Sequence, residues 1–274
     1  MDRKLIASMA RRASRLLAWP GLIVLCGCVF DNARRTTTDV GMVAASAYVF
    51  RGQIMNDSPV LQASTAVGLP AKSGGTTTVF AWGNLDLDDD VGNAWFDSGH
   101  AGEFTEIDLT ARHTESFGGV DVTAGLTYYS WANGEMFRFA PFPSTSEVFA
   151  RIGGEVIGLR PAVTLHYDID EVEGLYVRGD VGRPFQLGRG VSLDVLAWLG
   201  WSDEDHSLWL YRTASSGFAD VGLQARIVFD LDEVTTLHVG VAGSTILDDE
   251  LRNWFHTRVG ADNGWVELGL AWRF

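Results

Sequence analysis

The stretch GWVELGLAWRF, residues 264–274, alternates with a period of two. Val266, Leu268, Leu270, Trp272 and Phe274 form one apolar row, while Trp265, Glu267, Gly269, Ala271 and Arg273 form a row that is mostly small or charged. That period belongs to a strand with two unlike faces. The question is which face is the inside.

The same division recurs along the chain. Ile107, Leu109 and Ala111 alternate with Glu106, Asp108, Thr110 and Arg112; Val148, Ala150 and Ile152 with Glu147, Arg151 and Glu155. Val163, Leu165 and Tyr167 alternate with Thr164, His166 and Asp168, and Val221, Leu223, Ala225 and Ile227 with Asp220, Gly222, Gln224 and Arg226. Strands are predicted at roughly 39–51, 58–70, 76–87, 104–117, 119–132, 145–156, 160–170, 174–187, 190–202, 217–231, 234–247 and 264–274, about twelve in all. The first of these, which includes VGMVAASAYVF, alternates poorly, and no stretch shows convincing helical periodicity.

The connections carry a second pattern. After even-numbered strands the chain turns quickly, at AKSGG (71–75), GG (118–119), IGL (157–159), GRG (188–190) and DLDEV (230–234). After odd-numbered strands it often wanders, at 88–103, 133–144, 203–216 and 248–263. Short turns at one end and long loops at the other are the layout of an outer-membrane barrel. The fold expected is therefore all-β, a closed up-and-down antiparallel transmembrane β-barrel of about twelve strands. Closure satisfies every strand edge. In a soluble sheet the apolar row would be core, and a periplasmic sandwich or lipocalin-like barrel is the alternative; in a membrane barrel that row faces lipid and the charged row faces the lumen.

Aromatics near strand ends, among them Tyr48, Phe50, Trp131, Trp201, Trp272 and Phe274, suit interfacial girdles. The N-terminus adds a second reason: Arg3, Lys4, Arg11, Arg12 and Arg15 precede the apolar run LLAWPGLIVL (16–25), the order of a secretory signal. LCGC (25–28) resembles a lipobox, with Cys28 as the residue to be acylated. The domain reading is a lipoprotein-type signal peptide over 1–27, a periplasmic linker over 28–38 and a barrel over 39–274. The alternative is ordinary signal cleavage before Thr36, with Cys28 discarded or inert.

Without residues 1–27 the chain carries 16 basic against 34 acidic residues, a net of −18. Nucleic acid is a poor partner for that charge. Cys26 and Cys28 are the only cysteines, so a disulfide framework, a zinc site and a thiol nucleophile are excluded from the barrel, and no cofactor is expected.

SAYVFRGQIMNDSPVLQASTAVG (46–68) resembles the opening of a proteobacterial outer-membrane β-barrel family of uncharacterised function. In that family the first strand ends in Tyr-Val-Phe-Arg-Gly, here Tyr48 to Gly52, followed by a short loop, a proline (Pro59) and a second strand. The similarity continues through WGNLDLDD (82–89), TEIDLTARH (105–113), GLTYYSW (125–131), SEVFARIG (146–153) and LHYDID (165–170), covering roughly 45–187. The lipobox departs from the ordinary signal peptide expected there. The resemblance implies a location in the Gram-negative outer membrane and a barrel, and it implies no substrate. The final LAWRF likewise resembles the assembly signal of outer-membrane barrels, carried here by Leu270, Trp272 and Phe274.

If the apolar rows face lipid, Arg51, Glu106, Asp108, Arg112, Glu147, Arg151, Asp168, Arg178, Asp180, Asp194, Arg226 and Glu267 line the lumen. Opposed charges set selectivity in pores, and in a narrow barrel they can equally pair and fill the interior. The leading functional expectation is a porin-like channel for passive passage of small solutes. A closed-lumen barrel with structural, lipid-binding or partner-binding duty is the alternative. Expected partners are outer-membrane lipid, lipopolysaccharide and the barrel-assembly machinery.

Two further chemistries have candidate residues. Asp86, Asp88 and Asp90 could offer oxygen ligands to Ca²⁺ or Mg²⁺ shared with lipopolysaccharide, but no EF-hand spacing is present and DLDDD (86–90), DEDH (203–206) and DDE (248–250) read better as solvated loops. The histidines are His100, His113, His166, His206, His238 and His256; His113 precedes Ser116 by three and His206 abuts Ser207. Neither resembles the His-Ser motifs of barrel lipid hydrolases, so no catalytic residue is assigned. GEMFRFAPFPS (134–144) reads as an interfacial packing loop.

Overall fold

The computed structural model describes residues 36–89, 100–131, 135–136, 140–141, 143–256 and 261–274. In chain order the strands are β1 Thr37–Ala45, β2 Tyr48–Phe50, β3 Gln53–Asn56, β4 Val60–Pro70, β5 Thr76–Asp86, β6 Phe104–Phe117, β7 Val120–Ser130, β8 Glu135–Met136 and β9 Ala140–Pro141. They continue with β10 Thr145–Gly154, β11 Arg160–Asp168, β12 Leu175–Gly188, β13 Val191–Ser202, β14 Gly217–Asp230, β15 Thr235–Ile246 and β16 Asp262–Arg273. Among the described residues two helices, α1 Glu204–Tyr211 and α2 Asp249–His256, lie in the loops before β14 and β16.

Twelve strands close one antiparallel barrel, with β1 paired to both β4 and β16; β2–β3 and β8–β9 are separate two-stranded pieces. Closure runs to the last residue: β1 and β16 are in register from Asp39↔Arg273 to Ala45↔Glu267, and the Thr38 and Phe274 amides donate to each other's carbonyls at 3.0 and 2.9 Å. No strand edge of the barrel is left open, as the backbone requires inside a bilayer. Turns are as tight as their glycines allow. Gly118 and Gly119 both take positive φ, 58° and 88°, giving the two-residue hairpin that joins β6 to β7.

Register fixes the faces. Across the barrel the inward positions carry Asp108, Thr127, Glu147, His166, Tyr176, Trp198, Gln224 and Glu267, while the outward positions carry Leu109, Ile152, Leu223, Val241, Val266 and Leu268. Those six outward side chains are 50–58% exposed. An apolar band of this kind on every stave belongs in hydrocarbon and not in water, so the charged row is the lumen side of an outer-membrane barrel.

Two expectations are corrected. The run 39–51 is not one strand: β1 stops at Ala45, and Tyr48–Asn56 folds as a separate hairpin. Apolar residues continue on both rows past Ala45, so the poor alternation conceals the break, and Arg-Gly is not one of the usual turn dipeptides. The loops 203–216 and 248–263 also contain helices, each too short for periodicity to reveal. Their signal lies in the acids read as solvated clusters. Asp203 caps α1, accepting from the His206 amide at 2.9 Å, and Asp248 caps α2, accepting from Glu250 and Leu251 at 2.9 and 3.0 Å. A smaller difference is that β1 begins at Thr37, two residues inside the stretch read as linker.

Candidate functional site

The β2–β3 hairpin leaves the wall between β1 and β4 and reaches across the lumen to β10, β12 and β14 on the far side. At its tip Arg51 and Gly52 take φ of 48° and 78°, so the turn places two consecutive residues in the left-handed region. Glycine does this freely, whereas arginine pays about 1–2 kcal/mol. Such a residue persists where its surroundings over-determine it.

The surroundings do so here. Arg51 Nη2 donates to Glu147 Oε2 at 2.6 Å, and Nη1 donates to His206 Nε2 at 2.7 Å. The guanidinium also lies over the rings of Tyr176 and Phe50, 4.4 and 4.8 Å from their centroids. The backbone of the tip is held as well. Tyr211 Oη donates to the Arg51 carbonyl at 2.6 Å, and Asn263 Nδ2 donates to the Gly52 carbonyl at 2.7 Å. A Cβ on Gly52 would fall 2.5 Å from Asp220 Cβ, so only glycine allows this approach.

Glu147 is the centre of the knot. Its Oε1 accepts from Tyr129 Oη at 3.1 Å and lies 2.7 Å from His166 Nδ1. All of a carboxylate's strong demands are met, which a buried charge needs. Because an arginine can only donate, His206 Nε2 must accept, and the ring is neutral in this geometry. Burial pushes the His206 imidazole well below its ordinary range, and the nearby Arg51 charge pushes the same way. Burial opposes the charge on Arg51 itself, but the Glu147 carboxylate outweighs it and holds the guanidinium cationic.

Apolar contacts fill the rest of this end. Tyr48 and Met55 pack with Ala45, Val60, Tyr129 and Trp131, while Leu210 and Tyr211 of α1 pack with Ala219, Ile246, Leu251 and Ala261. Phe50 and Trp209 touch both groups. The cavity left beside Arg51, lined by Trp131, Glu147, His206 and Trp209 among others, is about 10 Å³, room for one water. The loop end of the lumen is therefore closed among the described residues.

The turn end differs. A chamber of about 610 Å³ opens between β6, β7, β10 and β11, lined by Arg112, Thr114, Asp121, Thr123, Phe149 and Arg151. Arg151 donates to both Asp180 oxygens at 2.8 and 3.0 Å, yet its side chain stays 41% exposed.

Register places each expected lumen residue on the inward row except Arg51, which sits on the hairpin. Asp86, Glu106, Glu147, Asp168 and Asp220 are buried near the loop end. Asp168 is committed to the turn after β11, accepting from Thr145 Oγ1 at 2.6 Å and from the Asp170 and Val172 amides at 3.0 Å. Lower down, Arg178 lies 4.9 Å over Trp198, Arg226 pairs with Glu267, and Asp194 and Arg112 are exposed to the lumen. Leu270 and Trp272 lie on the outward row, with Phe274 exposed after them.

Asp86 accepts from Asn84 Nδ2 at 3.1 Å and Thr105 Oγ1 at 3.3 Å, and no group of three or more His, Cys, Asp or Glu suited to a metal occurs among the described residues. Asp90, Cys28 and five of the eleven residues 134–144 lie outside those residues. Sequence reasoning missed Tyr129, Tyr176, Tyr211, Asp220 and Gly52 as members of the site. His206 carried a signal only through the capping acids before it.

No family model and no curated protein matches this chain. Solved structures do. An outer-membrane channel from Pseudomonas putida F1 is 11% identical with a TM-score of 0.50, covering 87% of this chain and 95% of that one. NanC porin is 10% identical with a TM-score of 0.49, over 86% and 98% of the two chains, and KdgM porin is 9% identical with a TM-score of 0.46, over 87% and 99%. What this chain shares with the Pseudomonas channel is the fold, that of an outer-membrane β-barrel.

Proposed function

We propose that the chain is an outer-membrane, porin-like channel for passive passage of small solutes, with the turn-end chamber as its wide section and the hairpin as its narrow one. The chamber is the observation that carries this reading. A barrel of this size built only for stability can fill its interior with side chains, and this one leaves a polar space of about 610 Å³ bearing both charge signs. The packed hairpin supports the rival reading, a closed-lumen barrel with structural, lipid-binding or partner-binding duty.

An enzymatic role has less support. Ser116 faces inward and donates to Asp121 at 2.5 Å, whereas His113 faces outward to Thr77 and Glu115. Ser207 pairs with Ser202 at 2.6 Å and not with His206. Outer-membrane lipid and lipopolysaccharide are the proposed contacts of the outward row, and the assembly machinery that of Leu270, Trp272 and Phe274. Acylation at Cys28 is tested by palmitate labelling lost in Cys28→Ser.

Current steps from the folded protein in planar bilayers test the channel reading. The expectation is small or brief steps in the wild type and larger ones once the hairpin is loosened. Silence from both would favour the closed-lumen reading.

A further inference from the structure

Buried acids crowd the loop end of the lumen, whereas the turn end carries both signs, with Asp121, Asp180 and Asp194 beside its arginines. Near the loop end, Asp86, Glu106, Glu147, Asp168 and Asp220 are all at most 4% exposed. Arg112, Arg151 and Arg226 lie nearer the turn end. Into the acidic layer the hairpin inserts one guanidinium, and everything around that group suits an organic cation in general.

The seat has four parts. Glu147 supplies a carboxylate oxygen at 2.6 Å, Tyr176 an aromatic face at 4.4 Å, His206 a ring nitrogen acceptor at 2.7 Å, and Tyr129 and His166 hold the carboxylate in place. A planar, delocalised cation matches a carboxylate edge and an aromatic face at once. The chain invests in filling this seat with its own arginine, since Arg51 is held at a left-handed φ to do so. A packed apolar residue would close a lumen without that strain and without burying an ion pair. Access also fits: along β10 the inward row runs Glu147, Phe149, Arg151, and Phe149 and Arg151 both line the chamber, so the seat stands one inward position beyond its lining.

The geometry points to Arg51 as a tethered occupant of a cation-binding seat made by Glu147, Tyr176 and His206, for which small solutes carrying a guanidinium or amine compete, displacing the hairpin. This deepens the channel reading and rests on it for the passage of the solute; the seat itself does not depend on conduction. A solute that takes the seat frees Arg51 and exposes the layer of acids, so passage favours cations over neutral and anionic molecules of equal size.

The experiment is hydrogen exchange at the amides of 48–56 in folded, detergent-solubilised protein, titrated with methylguanidinium and with its neutral isostere methylurea. Exchange in the wild type is expected to rise saturably with millimolar methylguanidinium and to ignore methylurea. In Arg51→Ala, tryptophan fluorescence from Trp131 and Trp209 should report methylguanidinium binding about ten-fold tighter than in the wild type, the competitor having been removed. Adding Glu147→Gln should abolish that binding. Wild-type exchange that stays flat at concentrations saturating Arg51→Ala overturns the proposal, because Arg51 is then a structural plug that no solute displaces. An equal response to methylurea overturns it too. Should Arg51→Ala fail to fold, the wild-type contrast between the cation and its isostere decides alone. Failure of the channel reading shows separately, as silence in bilayers with the exchange response intact.

Discussion

The two ends of the lumen are built on the same wall by the same alternation, yet one is sealed and the other open. At the loop end the inward positions carry Tyr129, Glu147, Tyr176 and Asp220, and chain from β2, β3 and α1 arrives to meet them. At the turn end they carry threonine, glycine and exposed arginine, and the connections are too short to fold back. The wall sets the diameter; what the loops insert decides whether that diameter is used. A buried charge at the sealed end needs every partner, while a lumen-exposed pair at the open end gains little.

Mutations should separate the two ends in proportion. Glu147→Ala leaves Arg51 buried without its carboxylate and should cost about 3–5 kcal/mol, read as a lower urea midpoint for the folded barrel. Gly52→Ala adds a Cβ 2.5 Å from Asp220 at φ 78° and should cost about 1–3 kcal/mol, again from the urea midpoint, with faster exchange at 48–56.

Acid should loosen the sealed end and spare the open one. His206 is neutral in the fold because burial lowers its affinity for a proton, whereas the unfolded side chain titrates at about 6.5. The folded state therefore binds fewer protons than the unfolded one below that pH, and stability from this group is full above about 6.5 and lost as pH falls. Facing His206 are Arg51, Glu147, His166, Tyr176 and Tyr211, and a proton on it would set two cations together at Arg51. The hairpin's opening constant, taken as its exchange rate divided by the intrinsic rate at each pH, should rise by up to about ten-fold per pH unit below about 6.5, and His206→Gln should flatten that slope. The smallest effect belongs to the open end. Arg151→Ala breaks a half-exposed pair with Asp180 and should shift stability by about 1 kcal/mol or less, while changing the ion selectivity of any current.

How much of this was legible in the sequence follows from the physics of each part. The staves were readable because lipid and lumen impose opposite chemistry on alternate residues, so Leu109 and Asp108 could not be confused. The sorting of long and short connections was readable for the same reason, as turns such as Gly118–Gly119 have little freedom. The hairpin was hidden because Tyr48, Val49 and Phe50 keep an apolar character that suits a stave, and only Arg51–Gly52 marks the turn. The site was half visible. Glu147 and Asp168 stood out as inward charges, but nothing local pairs Arg51 with a carboxylate 96 residues away or with a histidine 155 residues away. Those pairings exist only after closure brings β10 and α1 opposite the first loop.

A hairpin pinned through Arg51 closes the loop end among the described residues. Single-channel recording of the wild type beside Arg51→Ala tests that role most directly, with heat-modifiable migration confirming that both are folded. Current steps several-fold larger and longer-lived are expected in the variant; steps of the same size and duration in both would contradict a closing role for the hairpin.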